Sequence, residues 1–79
     1  MYVMYILKLA DGSYYVGSTS NMENRLLQHN MRRVRSTKTK MPCEIIYQEL
    51  HPDRSSAQSR EYQIKKWKSR KAIERLVKK

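Results

Sequence analysis

The sequence predicts a small α+β domain: a three-stranded antiparallel sheet flanked by helices, in the order β-β-α-β-α-α. Three observations carry that expectation. Tyr2 to Leu7 is a run of β-forming residues, apolar on both faces, which suits an internal strand. Asp11-Gly12 follows it closely and is a strong hairpin signal. Further on, polar residues able to cap a helix stand directly ahead of stretches whose apolar positions recur at helical spacing.

Taken in order, Tyr14-Tyr15-Val16 forms the second strand. A two-residue Asp11-Gly12 loop would pair Lys8 with Tyr15 and put Tyr5 and Tyr15 on opposite faces. A three-residue Ala10-Asp11-Gly12 loop, with Gly12 left-handed, pairs Leu7 with Tyr15 and makes the two tyrosines diagonal neighbours on one face. The second arrangement is expected. Ser20 or Asn21 caps a helix from about Met22 to Asn30, with Met22 and Leu26 on its buried side. Met31 to Met41, including Ser36, Thr37 and Thr39, has no convincing period and reads as a loop that Pro42 ends. Cys43 to Leu50 forms the third strand, with Cys43, Ile45 and Tyr47 on one face and Ile46 and Leu50 on the other. Asp53 caps a helix to about Lys68 whose inner face follows Ala57, Glu61 and Ile64, with Trp67 at its flank. Ser69 caps a last helix with Ala72, Ile73, Leu76 and Val77 as its apolar side.

A chain of 79 residues is expected to form one domain, burying roughly two-thirds of its unfolded surface. At 39% hydrophobic and 30% charged residues, it has the composition of a globular protein. It lacks an apolar run long enough for a membrane span and the features of a signal peptide, so the cytoplasm is the expected location. Cys43 is the lone cysteine, which excludes an internal disulfide and a cysteine-rich zinc site.

Charge is the loudest compositional signal. Seventeen Lys and Arg against seven Asp and Glu give +10. Arg32, Arg33, Arg35, Lys38 and Lys40 form a stretch without an acid, and from Arg60 onward the cations face only Glu61 and Glu74. Clustered cations suit a polyanion, because each phosphate neutralised releases counterions. A solvated helix face, or attraction to anionic lipid, is the plainer alternative. Lipid fits less well, since no helix joins a wide apolar face to a basic one.

Glu61 is the clearest anomaly, a carboxylate where helical spacing asks for an apolar residue. Held against a core it needs an ion pair, Arg60 or Lys65 being at hand, or a metal. One carboxylate suits Mg²⁺, which keeps several waters and borrows phosphate oxygens, better than zinc. Arg25 and His29 lie four apart on one helix edge. Arg suits bidentate contact with a phosphate, and His can move a proton near neutral pH. The same pair also reads as a surface arginine and a polar histidine near a helix C-terminus. Tyr5 and Tyr15 could be core-edge residues of their strands. Tyr14, Tyr47 and Tyr62 read as packing residues, and His51 as a loop residue.

Together, Val3-Met4-Tyr5, then Tyr15-Val16-Gly17 followed by Ser18 to Arg25, and Arg60-Glu61-Tyr62-Gln63-Ile64-Lys65 resemble the GIY-YIG nuclease family, most closely its small stand-alone YhbQ-like (UPF0213-type) members. The resemblance runs from Tyr2 to about Leu76 and implies the GIY-YIG fold. It implies a divalent-metal-dependent endonuclease that hydrolyses DNA phosphodiester bonds, single-stranded, nicked or branched. Catalytic residues would be Tyr5, Tyr15, Arg25, His29 and Glu61, with Glu61 holding Mg²⁺ or Mn²⁺. One tyrosine would deprotonate or orient the attacking water and the other would position it. His29 would assist proton transfer, and Arg25 would stabilise the charge of the transition state. Gly17 would allow close backbone approach. Arg32, Arg33, Arg35, Lys38, Lys40, Lys65, Lys66 and Lys68 would grip the nucleic-acid backbone. Some members carry a lysine where this chain has Ser18. DNA is the expected partner; RNA stays open, since phosphate contacts do not distinguish the sugars. Targeting would come from the domain's own loops or from a protein partner. A binding module that keeps the fold without cleaving is the rival reading, and a structural or adaptor domain a third.

Overall fold

The computed structural model describes residues 1–35 and 37–78; Ser36, read above as part of the basic loop, and Lys79 lie outside the described residues. The elements are β1 Tyr2–Lys8, β2 Tyr14–Thr19, α1 Met22–Asn30, β3 Glu44–His51, α2 Arg54–Trp67 and α3 Arg70–Val77. The order is the expected one. The strands pair antiparallel as β2-β1-β3, so the doubly apolar β1 is central and Met4, Tyr5, Ile6 and Leu7 are fully buried. Burial of such side chains contributes about 1.5–3 kcal/mol each before entropy is charged against it.

The hairpin has the three-residue loop. The Leu9 amide donates to the Ser13 carbonyl at 2.9 Å, and the Gly12 amide donates back to the Leu9 carbonyl at 2.9 Å. Gly12 sits at φ +85°, a conformation that costs glycine nothing. The register follows: Leu7 pairs with Tyr15 and Tyr5 with Gly17, which sets Tyr5 and Tyr15 on one face.

That face packs against α1 through Met22 and Leu26, with Val3, Tyr15, Cys43 and Ile45 around Tyr5, Leu7 and Leu9. The opposite face packs against α2 and α3 through Ile64, Trp67, Ile73, Leu76 and Val77, over Met4, Ile6 and Val16. Caps hold each helix start: Asn21 accepts from the Asn24 amide at 3.0 Å, Asp53 from the Ser56 amide at 2.8 Å, and Ser69 from the Ala72 amide at 3.3 Å. Each supplies an acceptor for a donor the helix itself leaves unpaired. Helix α2 ends at Trp67, where Lys68 turns left-handed at φ 47° and starts the chain toward α3. Among the described residues no helix is long and apolar enough to cross a membrane.

Strand β3 departs from simple alternation. Ile6 faces Tyr47 but Leu7 faces Ile45, so Ile46 is an extra residue in the ladder. Such a bulge resets which side chains share a face. Tyr47 therefore joins Ile46 on the α2 side, not Cys43 and Ile45 as alternation suggested. Leu50, opposite Val3, is left largely exposed. The strand spans Glu44 to His51, one residue later at each end than the sequence pattern suggested, and His51 is its last residue rather than part of a loop.

Candidate active site

The register of the hairpin and the edge of α1 build one polar cluster. Tyr5 lies mid-strand and fully buried, across from Gly17. A Cβ on Gly17 would stand 2.6 Å from Tyr5 Oη, 2.7 Å from Cζ and 3.0 Å from Tyr15 Cε1. Glycine is thus needed here because the Tyr5 ring occupies the space a side chain would take. The group approaching this backbone is the chain's own tyrosine. The Tyr15 ring is tilted beside Tyr5, centroids 6.2 Å apart.

His29 is the fully buried member from α1. Its Nε2 lies 3.1 Å from Tyr5 Oη, and its Nδ1 2.8 Å from Thr37 Oγ1. Its ring meets Tyr15 edge-on at 5.0 Å. Thr37 Oγ1 also reaches the Val34 carbonyl at 3.4 Å. With the hydroxyl proton directed there, Thr37 accepts from Nδ1–H and Nε2 accepts the Tyr5 hydroxyl proton, the tautomer that satisfies every partner. Arg25 completes the chain: its Nε donates to Tyr5 Oη at 3.3 Å and its Nη1 to Gln28 Oε1 at 3.2 Å.

The electrostatics follow from that enclosure. Burial pushes the Tyr5 phenol up to about 12; the Arg25 hydrogen bond pulls it back, and the Tyr15 and Glu61 charges add to the rise. Burial, then the Arg25 charge, lowers the His29 imidazole. The bond to Tyr5 raises the Arg25 guanidinium. At rest the cluster is a neutral phenol and a neutral imidazole beside one fixed cation. Among the described residues Arg25 forms no ion pair.

Glu61 comes from the α2 side. Its Oε1 accepts from Ser18 Oγ at 2.8 Å and its Oε2 from Lys65 Nζ at 2.6 Å, with the side chain 21% exposed. Of the two cations near it in sequence it pairs with Lys65; Arg60 pairs with Glu49. Ser18 adjoins Gly17 on the outer strand, so Glu61 reaches the sheet one residue from the strand position under the Tyr5 ring. The structure thus brings Tyr5, Tyr15, Arg25 and His29 into contact, with Glu61 tied to the neighbouring residue of β2.

The basic residues divide by what they already do. Arg33, Arg35 and Lys38 are exposed and form no ion pair among the described residues. Arg32 closes its own loop, donating to the Lys38 carbonyl at 3.2 Å. Lys40 reaches Asp11 at 3.6 Å. Lys66 lies over the Tyr62 ring at 5.1 Å; Tyr62 is 64% exposed and is not a packing residue. Lys68 is exposed at the end of α2.

Sequence reasoning missed Thr37, Ser18 and Gln28 as partners of the cluster. For Thr37 one signal was available: Val34 is the single aliphatic residue inside the basic stretch, and it marks where the loop turns inward, being 9% exposed. A second polar cluster was also missed. On the α2 face Glu49 accepts from Tyr47 Oη, lies 3.1 Å from His51 Nε2, and accepts from Arg60 Nε at 3.1 Å and Nη2 at 3.2 Å. Burial pushes the Glu49 carboxyl up, but the Tyr47, Arg60 and His51 hydrogen bonds outweigh it and hold the group below its ordinary value.

Comparison with known proteins agrees with this architecture. The GIY-YIG catalytic domain matches residues 1–74. The chain belongs to the GIY-YIG family. Members of this family are typically nucleases. The chain is 43% identical over 63 residues to the UPF0213 protein SH2523 of Staphylococcus haemolyticus, covering 78% of this chain and 77% of that one. It is 37% identical over 76 residues to a UPF0213 protein of Staphylococcus aureus, covering 95% and 92%. The solution NMR structure of the UPF0213 protein BH0048 from Bacillus halodurans superposes with a TM-score of 0.64 at 30% identity, covering 99% of this chain and 84% of that chain.

Proposed function

We propose that this GIY-YIG domain is a divalent-metal-dependent endonuclease that hydrolyses DNA phosphodiester bonds. The observation that carries the reading is Arg25: a half-buried guanidinium beside two tyrosines and a neutral histidine, with no carboxylate partner among the described residues. A fixed cation without a counter-charge is what an incoming phosphate completes.

The donor chemistry at Glu61 fits Mg²⁺ or Mn²⁺. Its carboxylate stands beside a hydroxyl, both hard oxygen donors, and it already accepts a cation in Lys65. Among the described residues there is no group of three or more His, Cys, Asp and Glu that could form a full protein cage, which suits an ion that draws its other ligands from water and phosphate. When bound, such an ion supplies Lewis-acid charge to the phosphate and to the leaving oxygen.

The chain's own residues do the rest. Arg25 binds and neutralises the phosphate. Tyr15, partly exposed where Tyr5 is fully enclosed, orients the attacking water. Arg25, moving onto the phosphate, gives up its bond to Tyr5 Oη and opens it to that water. As the water oxygen bonds to phosphorus, the bond to the leaving oxygen breaks, and that oxygen takes a proton from solvent. The water's proton passes to Tyr5 Oη as the Tyr5 proton moves to His29 Nε2. The step is costly at rest, because burial and the Arg25 charge both lower the imidazole. A phosphate beside Arg25 offsets the second cause, so proton transfer costs less with substrate bound. Arg33, Arg35 and Lys38 hold the flanking backbone without reading bases.

A binding module that does not cleave is the alternative, favoured by the Lys65 ammonium that already neutralises Glu61. Labelled single-stranded, duplex and flapped DNA incubated with Mg²⁺, Mn²⁺ or EDTA, with wild type and Glu61→Ala, separates the two. Products that require metal and vanish in the variant are expected. Binding without cleavage in every condition would leave the binding module.

A further inference from the structure

Both oxygens of the Glu61 carboxylate are taken. Oε1 accepts from Ser18 Oγ at 2.8 Å and Oε2 from Lys65 Nζ at 2.6 Å. The two partners differ in kind. Ser18 is a neutral donor on β2 and fixes where the carboxylate stands. Lys65 is a full cation, its side chain 50% exposed against 21% for Glu61, so the ammonium is the accessible half of the pair. An i,i+4 ion pair at that exposure adds little to stability, and the fold does not depend on it. Neighbouring cations do not compete for Glu61: Lys66 lies over the Tyr62 ring at 5.1 Å, and Arg60 pairs with Glu49 at 3.1 Å. Lys65 in turn forms no other ion pair among the described residues. Glu61 is the only acid on α2, and the next one along the chain, Glu74, is held by Arg70 at 3.6 Å.

We propose that Lys65 is an exchangeable counter-ion: it caps Glu61 in the free protein and passes to a phosphate oxygen of the strand when DNA binds, releasing the carboxylate to the divalent ion. The inference rests on the nuclease reading and deepens it, giving Lys65 two partners in turn. Charge balance argues for the exchange. An ammonium and a divalent ion repel at one carboxylate oxygen, so Lys65 must leave for the ion to bind. The released ammonium finds no second acid on its own helix, and a phosphate is the anion that restores the balance. The flexible four-carbon stem of lysine permits the move. Ser18 keeps its hold on Oε1, so the carboxylate stays in place while its other oxygen changes partner. Coupling between two ligands is reciprocal: DNA, by taking Lys65, raises the affinity of Glu61 for the ion, and the ion, by freeing Lys65, raises the affinity for DNA. A module that binds without cleaving would instead keep the Lys65–Glu61 pair permanently.

The test begins without DNA. ¹⁵N-labelled wild type, Lys65→Gln and Lys66→Gln are titrated with Mg²⁺, and the Ser18 and Glu61 amide shifts are followed. Lys65→Gln should bind Mg²⁺ about threefold tighter than wild type, the scale of an exposed ion pair removed. Lys66→Gln, which loses the same charge one residue on, should bind Mg²⁺ as wild type does, all three proteins retaining a folded spectrum. Cleavage of labelled single-stranded DNA at saturating Mg²⁺ then reads the second partner. There Lys65→Gln should raise KM about tenfold, the scale of a charged hydrogen bond lost. A tighter metal site joined to a weaker grip on DNA is a pattern that a merely structural lysine does not give. Equal or weaker Mg²⁺ binding in Lys65→Gln would overturn the cap. Tighter Mg²⁺ binding with an unchanged KM would overturn the transfer to phosphate. Should none of the proteins cleave, the nuclease reading falls by itself, and the second partner is read as tetrathymidylate affinity in Mg²⁺. Weaker binding by Lys65→Gln than by wild type would then support the exchange, and equal binding would overturn it.

Discussion

On one face of the sheet Tyr5, His29 and Arg25 meet; on the other Tyr47, His51 and Arg60 meet around Glu49. The two clusters use the same three side-chain types. They differ in one carboxylate. Around Glu49 every strong donor has a charged acceptor, and Arg60 and Glu49 cancel, which ties β3 to α2. Around Tyr5 the arginine has no counter-charge, and the hydroxyl and imidazole are shut off from water. A saturated network resists change; an unbalanced one favours an anion. Polar residues in a core therefore signal function less by their identity than by the charge left over after all partners are counted.

Single substitutions separate the two clusters. The largest effect is expected from Gly17→Ala, whose Cβ would fall 2.6 Å from Tyr5 Oη. Displacing Tyr5 should cost about 1–3 kcal/mol of stability and reduce cleavage about a hundredfold, read by thermal melts and a cleavage time course. Glu49→Ala comes next. It removes the acceptor for a largely buried Arg60 and should destabilise by about 1–3 kcal/mol, with cleavage unchanged below the lowered melting temperature. Loss of activity without loss of stability there would reverse the assignment of the two clusters.

Thr37→Val is smaller and more specific. It deprives the buried Nδ1–H of its acceptor, at about 1–2 kcal/mol, and frees the His29 tautomer. Nitrogen-detected NMR of the imidazole should show the Nδ1–H form in wild type and in Thr37→Ser, and a mixture in Thr37→Val. An unchanged tautomer in Thr37→Val would remove Thr37 from the relay.

Acid should separate the clusters by pH. The His29 imidazole is lowered from 6.5 in the fold, so below 6.5 the unfolded chain binds more protons. Stability should therefore fall as pH drops from 6.5 toward the folded value. The Glu49 carboxyl is lowered from 4.5, so its contribution is full above 4.5 and lost only as pH falls further. Urea melts across pH 7 to 4, repeated on His29→Gln, should show the upper part of the decline flattened in the variant. An identical pH profile in both would mean that His29 is not buried neutral.

The parts legible in sequence were those fixed by local chemistry. Asp11-Gly12 set the hairpin because left-handed backbone there needs glycine, and the register then delivered Tyr5 beside Tyr15. Asn21, Asp53 and Ser69 announced the helix starts through their own hydrogen bonds. Glu61 stood out by breaking a helical stripe. What stayed hidden depends on contacts between distant segments. The bulge at Ile46 arises in the pairing of β3 with β1, so Tyr47 changed faces without a local signal. Thr37 acquires its role only when the basic loop folds back on α1. Glu49 and Arg60 look like ordinary surface charges until α2 is laid over β3. Lys40 and Arg32 looked free for a polyanion, yet each already has a partner within the domain.

The most direct measurement compares Arg25→Ala with Arg60→Ala, each followed by thermal melting and by cleavage of a labelled flapped DNA in Mg²⁺. Arg25→Ala should melt within a few degrees of wild type and yield no detectable product. Arg60→Ala should melt lower and still cleave at temperatures where it is folded. Wild-type cleavage by a folded Arg25→Ala would contradict the account, because the unbalanced cation would then have no part in the chemistry.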